Sequence, residues 1–245
     1  MPQAPEADQR RLLSVQDADT QIAQSKHRRA HLPVLAQIAE LAARVEDIET
    51  ARAQGVVEVS DIRREVTKAE DDVRSVTARA ERDNARLNSG EGTPRDLQAL
   101  QAELALLAKR QSDLEDIELE AMERLEEAER LVAAAGTQAA AITAQIADLE
   151  AARDAEWAAI DAELAALDDS RKAEVTGLDA ALVALYEKLR IHGSGVGAAA
   201  LLHGQCQGCH MKLNPVDLAR IDAAAADDVV RCEECGRILV RGTQA

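Results

Sequence analysis

Four cysteines carry the clearest chemistry in this 245-residue chain, and none occurs before position 206. They form two pairs, Cys206-Gln-Gly-Cys209 and Cys232-Glu-Glu-Cys235, separated by residues 210–231. A C-x-x-C turn aims two sulfurs at one centre, so two such turns supply the four thiolates of a tetrahedral zinc site. Disulfides are a competing reading, as is a redox-active C-x-x-C. The first suits an oxidising compartment and the second needs a βαβ setting, which the pattern around these cysteines lacks. Cys206, Cys209, Cys232 and Cys235 are therefore expected to hold one structural Zn2+, with no position left open for water or substrate. Gly236, directly after the last cysteine, suits a left-handed backbone that turns amides toward sulfur. His203 and His210 flank the first pair and are read as polar neighbours, because the cysteines already fill the shell.

The remaining residues offer no catalytic constellation: no nucleophile beside a base, no carboxylate pair in a defined pocket and no phosphate loop. The chain is expected to be non-enzymatic. Net charge is -16, with 29 Lys and Arg against 45 Asp and Glu. Such a field repels phosphate backbones and anionic lipid. Around the cysteines, Arg231, Arg237 and Arg241 could form a local basic patch for a partner. Aromatic residues are 1% of the sequence, so no stacking platform for unpaired bases is available. Nucleic acid is thus expected as at most a weak direct ligand, and a protein partner is favoured.

Elements to position the cysteines follow from composition. Hydrophobic residues make up 47%, yet there is one Trp, one Tyr and no Phe, which argues against one large core and for long helices zipped through Leu, Ile, Val and Ala. Ile62, Val66, Ala69, Val73, Val76 and Ala80 keep alternating steps of three and four, continued by Asp83 and Leu87. Leu97, Leu100, Leu104, Leu107, Gln111 and Leu114 open a second stripe that continues to Leu189. Pro33 predicts a kink or break near His31, and Gly55 a softer spot. Gly136 and Gly177 read as tolerated inside the second arm.

Between the stripes, Asn88-Ser89-Gly90-Glu91-Gly92-Thr93-Pro94 is a turn, with Thr93 as cap, Pro94 at the first helical position and Asp96 three residues on. So short a connection makes the arms antiparallel. Arm one is expected over about 8–88, the turn over 89–93 and arm two over about 94–190, giving a hairpin domain over 1–190. The glycines from Gly193 to Gly197 then open a separate zinc-ribbon domain over 191–245. Within it, strands are expected around Met211–Leu213 and Ile238–Val240, and a helix from Asn214-Pro215 through Ile221. The fold class is mainly α: a long antiparallel coiled-coil hairpin followed by a small four-cysteine ribbon. Trp157 and Tyr186 read as packing residues.

The hairpin followed by C-x-x-C and Cys232-Glu-Glu-Cys235-Gly-Arg-Ile-Leu239 resembles a bacterial family of coiled-coil proteins with a C-terminal four-cysteine zinc ribbon, described as nucleic-acid-binding. Leu97 to Leu104, Leu114 to Glu123 and Leu185 to Arg190 carry the same likeness. The resemblance implies zinc at the four cysteines, and in some members contact with an alternative sigma factor or a flagellin message. Glu233 and Val240 depart from the family's usual Pro and aromatic. The expectation is a cytoplasmic adaptor that contacts transcription or RNA machinery through ribbon and hairpin, with no membrane role and its oligomeric state left open. Two other readings stand beside it: a structural coiled-coil spacer whose ribbon only stabilises, and a factor whose coiled-coil tip, with Glu91 and Asp96, enters the secondary channel of RNA polymerase.

Overall fold

A computed structural model describes residues 3–242; the expected domain ends at residues 1–2 and 243–245 lie outside the described residues. The elements run α1 (Glu6–Ala30), α2 (Pro33–Ser89), α3 (Pro94–Val175), α4 (Ala180–His192), β1 (Ala198–Leu202), β2 (Gln205–Cys206), α5 (Pro215–Ala223), β3 (Val230–Arg231) and β4 (Ile238–Val240). They fall into two compact units. One is continuous, residues 36–150, and the other joins residues 3–35 to 151–242.

The continuous unit is the hairpin, and its seam is the one the periodicity specifies. Ile62, Val66, Ala69, Leu107, Leu114, Ala121 and Ile142 are buried. Val73, Val76, Asp83 and Leu87 extend the stripe as half-buried residues. Arg79 lies beside Asp83, so the polar position of the α2 stripe is paired. Between the arms, Arg63 pairs with Glu129, Arg124 with Glu65 and Arg79 with Glu103.

At the tip, Gly90 and Gly92 take φ of 68° and 133°. The Thr93 amide donates to Asp96 Oδ2 at 3.0 Å, and the Asp96 amide donates to Thr93 Oγ1 at 3.3 Å. This is a capping box with Asp in the third position. Gly55 is not a soft spot, since α2 runs through it. A Cβ there would stand 2.9 Å from Val132 Cγ2, so glycine is what lets the two helices approach.

The other unit is the base. The expected break near Pro33 falls at His31–Leu32, between α1 and α2. The second arm also breaks, contrary to the reading of Gly177 as a tolerated helical glycine. There φ is +83°, α3 ends at Val175 and α4 begins at Ala180. Asp179 caps α4 by accepting from the Leu182 amide at 2.9 Å, and Asp8 of α1 accepts from the Asp179 amide at 3.1 Å. The break frees α4 to pack beside α1.

Among the described residues the strands form one sheet in the order β2-β1-β4-β3, with β1 parallel to β4 and the other pairs antiparallel. Ala198–Leu202, not expected as a strand, is central. Met211–Leu213, expected as one, makes a single bridge from Lys212 to Gln205. The ribbon, expected from position 191 onward, packs closely against the helices that precede it. Leu12 and Val15 of α1, Leu182 and Tyr186 of α4, and Ala198, Val229 and Ile238 of the sheet region share one buried core.

Polar groups lock this core. Asp19, 7% exposed, accepts from Arg171 Nε at 2.7 Å and from the Tyr186 hydroxyl at 2.7 Å. Arg171 also pairs with Glu187 of α4. Gln16 Oε1 accepts from the Gly197 amide at 2.8 Å, which joins α1 to the approach to β1. Burial and the Asp19 carboxylate together push the Tyr186 phenol well above its ordinary value of 10.0. Trp157 donates Nε1–H to the Arg29 carbonyl at 3.1 Å, with the Arg29 and Arg153 guanidiniums 4.7 and 4.8 Å from its ring centre. Both aromatic residues pack, as expected.

Candidate metal centre

Each cysteine pair sits in a tight turn, and the two turns share a geometry. The His210 amide donates to the Cys206 carbonyl at 2.8 Å, and the Gly236 amide to the Cys232 carbonyl at 2.8 Å. The residue after each second cysteine is left-handed, at φ 73° for Gly236 and 59° for His210. Gly236 behaves as expected, whereas His210 adopts the same conformation despite its Cβ. His210 thus completes the first turn from its backbone. His203 and Gly204, with φ of 48° and 69°, form the two-residue connection between β1 and β2, the pattern of a type I′ hairpin.

The four sulfurs meet. Cys206 Sγ lies 3.9 Å from Cys235 Sγ, and Cys209 Sγ lies 3.9 Å from Cys232 Sγ. All four are within 4.8 Å of one another. A tetrahedron of sulfurs each about 2.3 Å from zinc has edges of about 3.8 Å, so the spacing fits the ion. Disulfides, whose sulfurs are about 2.05 Å apart, do not fit these distances. Cys206 and Cys232 are buried at 0% and 2% exposure. Around them Leu213, Ile221, Val230 and Leu239 form a small apolar core.

Burial raises the Cys206 thiol and pushes that of Cys232 up to about 12. At Cys235 burial also raises the pKa, but the Arg237 amide and the neighbouring thiols and guanidinium outweigh it and bring the value to about 7. A divalent cation at the centre would take the sulfurs as thiolates and displace these protons. Cys206, Cys209, Cys232 and Cys235 are the ligand set of one structural Zn2+.

The arginines expected to form a contact patch have other work in the base. Arg237 donates to the carbonyls of Val196, Gly208 and Gly193 at 3.1, 3.1 and 3.0 Å, tying the first cysteine turn to the end of α4. Arg241 donates to the carbonyls of Ile221, Ala224, Ala225, Ala226 and Asp228, closing the C-terminal end of α5. Arg231 donates Nε–H to the Gly236 carbonyl at 2.7 Å and is the one of the three that stays exposed. Five carbonyls meeting at one side chain leave no motif in the sequence, so this role was unreadable there.

Glu91 and Asp96 lie at the hairpin tip, in the other unit. Asp96 is committed to its cap, and its hydrogen bonds from the Thr93 hydroxyl and amide hold its carboxyl below the ordinary range. Glu91 is exposed, and its amide faces Ser89 Oγ at 3.5 Å.

Fold and site together define a coiled-coil hairpin protein with a C4 zinc ribbon. Residues 15–194 match the CT398-like coiled-coil hairpin domain, and residues 205–239 match the C4-type zinc ribbon domain. The chain belongs to the CT398-like coiled-coil hairpin family. It is 35% identical over 237 residues to the Mycobacterium tuberculosis protein Rv2229c of strain H37Rv, covering 96% of both chains. A solved structure from Mycobacterium smegmatis is 33% identical, with a TM-score of 0.85 over 98% of this chain and 100% of that one. CT398 from Chlamydia trachomatis shares the fold at 18% identity, with a TM-score of 0.72 over 96% and 98%. No helix among the described residues is long and apolar enough to cross a membrane.

Proposed function

We propose that this chain is a non-enzymatic adaptor: a zinc-stabilised base and a helical hairpin that together bind another macromolecule, the transcription or RNA machinery first among candidates. The observation that carries the non-enzymatic part is the donor set. Four mutually close thiols saturate a tetrahedral ion, so the metal organises the base and has no coordination position for a substrate. Binding is supported by the apolar side chains that α3 leaves in solvent, among them Leu106, Leu119 and Met122, which the fold itself does not use. The reading takes the protein to be cytoplasmic, where thiols stay reduced and hold zinc. Direct nucleic-acid binding is at most weak, because two of the three expected basic contacts, Arg237 and Arg241, are partly buried and bind several carbonyls each, and the net charge is -16.

Affinity capture of the full chain, with mass spectrometry of what is retained, tests this. RNA polymerase subunits or RNA-processing proteins are expected, and their retention should fall when Cys232 and Cys235 become Ser. Retention abolished by Glu91→Ala and Asp96→Asn, with the ribbon variants unaffected, moves the contact to the tip and supports the channel-insertion reading. Capture of neither class of protein leaves the structural spacer as the better account.

A further inference from the structure

Charge on the hairpin is most one-sided along α3 between Asp113 and Glu129, a stretch with nine carboxylates and one cation, Arg124. Arg130 takes Glu127, Arg63 takes Glu129, and Arg124 itself turns to Glu65. Among the described residues Asp116, Glu118, Glu123 and Glu126 make no ion pair. Like charges at three- and four-residue spacing, as in Asp113/Asp116, Asp116/Glu120 and Glu123/Glu126, oppose the helix they sit on. A face kept only for solubility has no need of apolar residues in its middle, yet Leu119 and Met122 stand 57% and 48% exposed there. With Glu115 and Glu126 they follow a 4-3-4 spacing, which puts all four on one strip of α3. The seam residues Leu114 and Ala121 are buried against α2, so this strip is turned away from the partner arm.

We propose that the Glu115-Leu119-Met122-Glu126 face of α3 is the docking site for a basic amphipathic α-helix of a protein partner. The strip runs for about 16 Å along the helix, at the spacing on which the apolar stripe of a second helix packs. Its frame of carboxylates, none of them in an ion pair among the described residues although Glu115 accepts from Gln111, selects Lys and Arg on either side of that stripe. The same charge turns away nucleic acid, anionic lipid and the identical face of a second copy. The shallow grooves on the flank between α2 and α3 lack this bias: the groove at Ile117 sets Glu65, Asp72 and Glu120 against Lys68, Arg110 and Arg124. The inference rests on the adaptor reading and specifies one partner surface for it.

The test uses the full zinc-loaded chain and a synthetic helical peptide with leucines on one face and lysines elsewhere, followed by fluorescence anisotropy. The control peptide has the same composition with its leucines scattered. The patterned peptide should bind at least about tenfold more tightly than the control, and Leu119→Ala with Met122→Ala should remove that advantage. Alanine keeps the helix, so circular dichroism should not change. Glu115→Gln with Glu126→Gln should reduce the loss of binding between about 0.05 and 0.2 M salt. Equal binding of the two peptides, or binding indifferent to the alanine pair, overturns the proposal. So does sedimentation showing that the alanine pair converts a dimer to a monomer, since a second copy would then be the occupant. Retention of polymerase or RNA-processing proteins by a chain that ignores the patterned peptide sinks this surface and leaves the adaptor reading standing.

Discussion

At the residue scale, Tyr186 shows how one side chain reports on the base. Its hydroxyl donates to Asp19 while its ring fills the core between α1 and α4. Tyr186→Phe keeps the ring and removes a hydrogen bond to a charged group, a loss of about 2 kcal/mol that thermal melts should show. The phenol has a folded pKa above its ordinary 10.0, so the stability it lends is fully present below pH 10.0 and is lost as pH rises beyond it. Melting temperature should therefore fall above that pH in the unmodified chain, and fall less in Tyr186→Phe. Asp19→Ala is the harsher change: it removes the carboxylate that Arg171 and the phenol share, leaving them Glu187 and Gln16, and should cost about 3 kcal/mol. At the metal, Cys232→Ser should lower zinc content by elemental analysis, because a serine hydroxyl is no substitute for a thiolate.

At the scale of elements, two glycines of the second arm should respond in opposite senses to alanine. Gly177 has φ of +83°, so Gly177→Ala should destabilise by about 1 kcal/mol. Gly136 lies within α3, and a Cβ there meets the movable Arg52 guanidinium at 3.3 Å, so Gly136→Ala should stabilise by up to about 1 kcal/mol. Denaturant titrations of the two variants decide it. The hairpin was legible because its rules are local: a 3-4 period, a glycine pair, and Thr93 with Asp96. The cysteine turns were legible for the same reason. The break at Gly177 was written in a weaker form, a glycine two residues before the capping Asp179, and what makes it a break is α4 docking against distant α1. Ala198–Leu202 gave no strand signal, since Ala and Leu favour helices. It becomes a strand because β4, some forty residues on, pairs with it. The tasks of Arg237 and Arg241 were hidden in the same way, because carbonyls scattered along the chain converge on them only once the base has formed.

At the scale of the molecule, zinc and the first helix depend on one another through neighbouring cores. The apolar shell of the cysteines includes Val230 and Leu239, and the adjacent residues Val229 and Ile238 belong to the core that holds Leu12 and Val15. Removing zinc with a chelator should therefore expose α1 as well as the ribbon. Limited proteolysis should then cut within residues 6–30 and 198–240 while residues 36–150 stay protected, and restoring zinc should restore protection. Cleavage confined to the ribbon would show that α1 is held without it.

The base is assembled from stretches that precede and follow the hairpin, and this sets an order of events during synthesis. Leu12 and Val15 leave the ribosome well before the surfaces that bury them, from Leu182 to Ile238. The arms between can zip as they emerge, because their contacts are between neighbouring stretches of one hairpin. Until the final cysteine turn is released, α1 keeps an apolar stripe in water, a feature that holding chaperones recognise. A message cut short between His192 and Cys232 would yield a paired hairpin whose basal core stays open and adhesive.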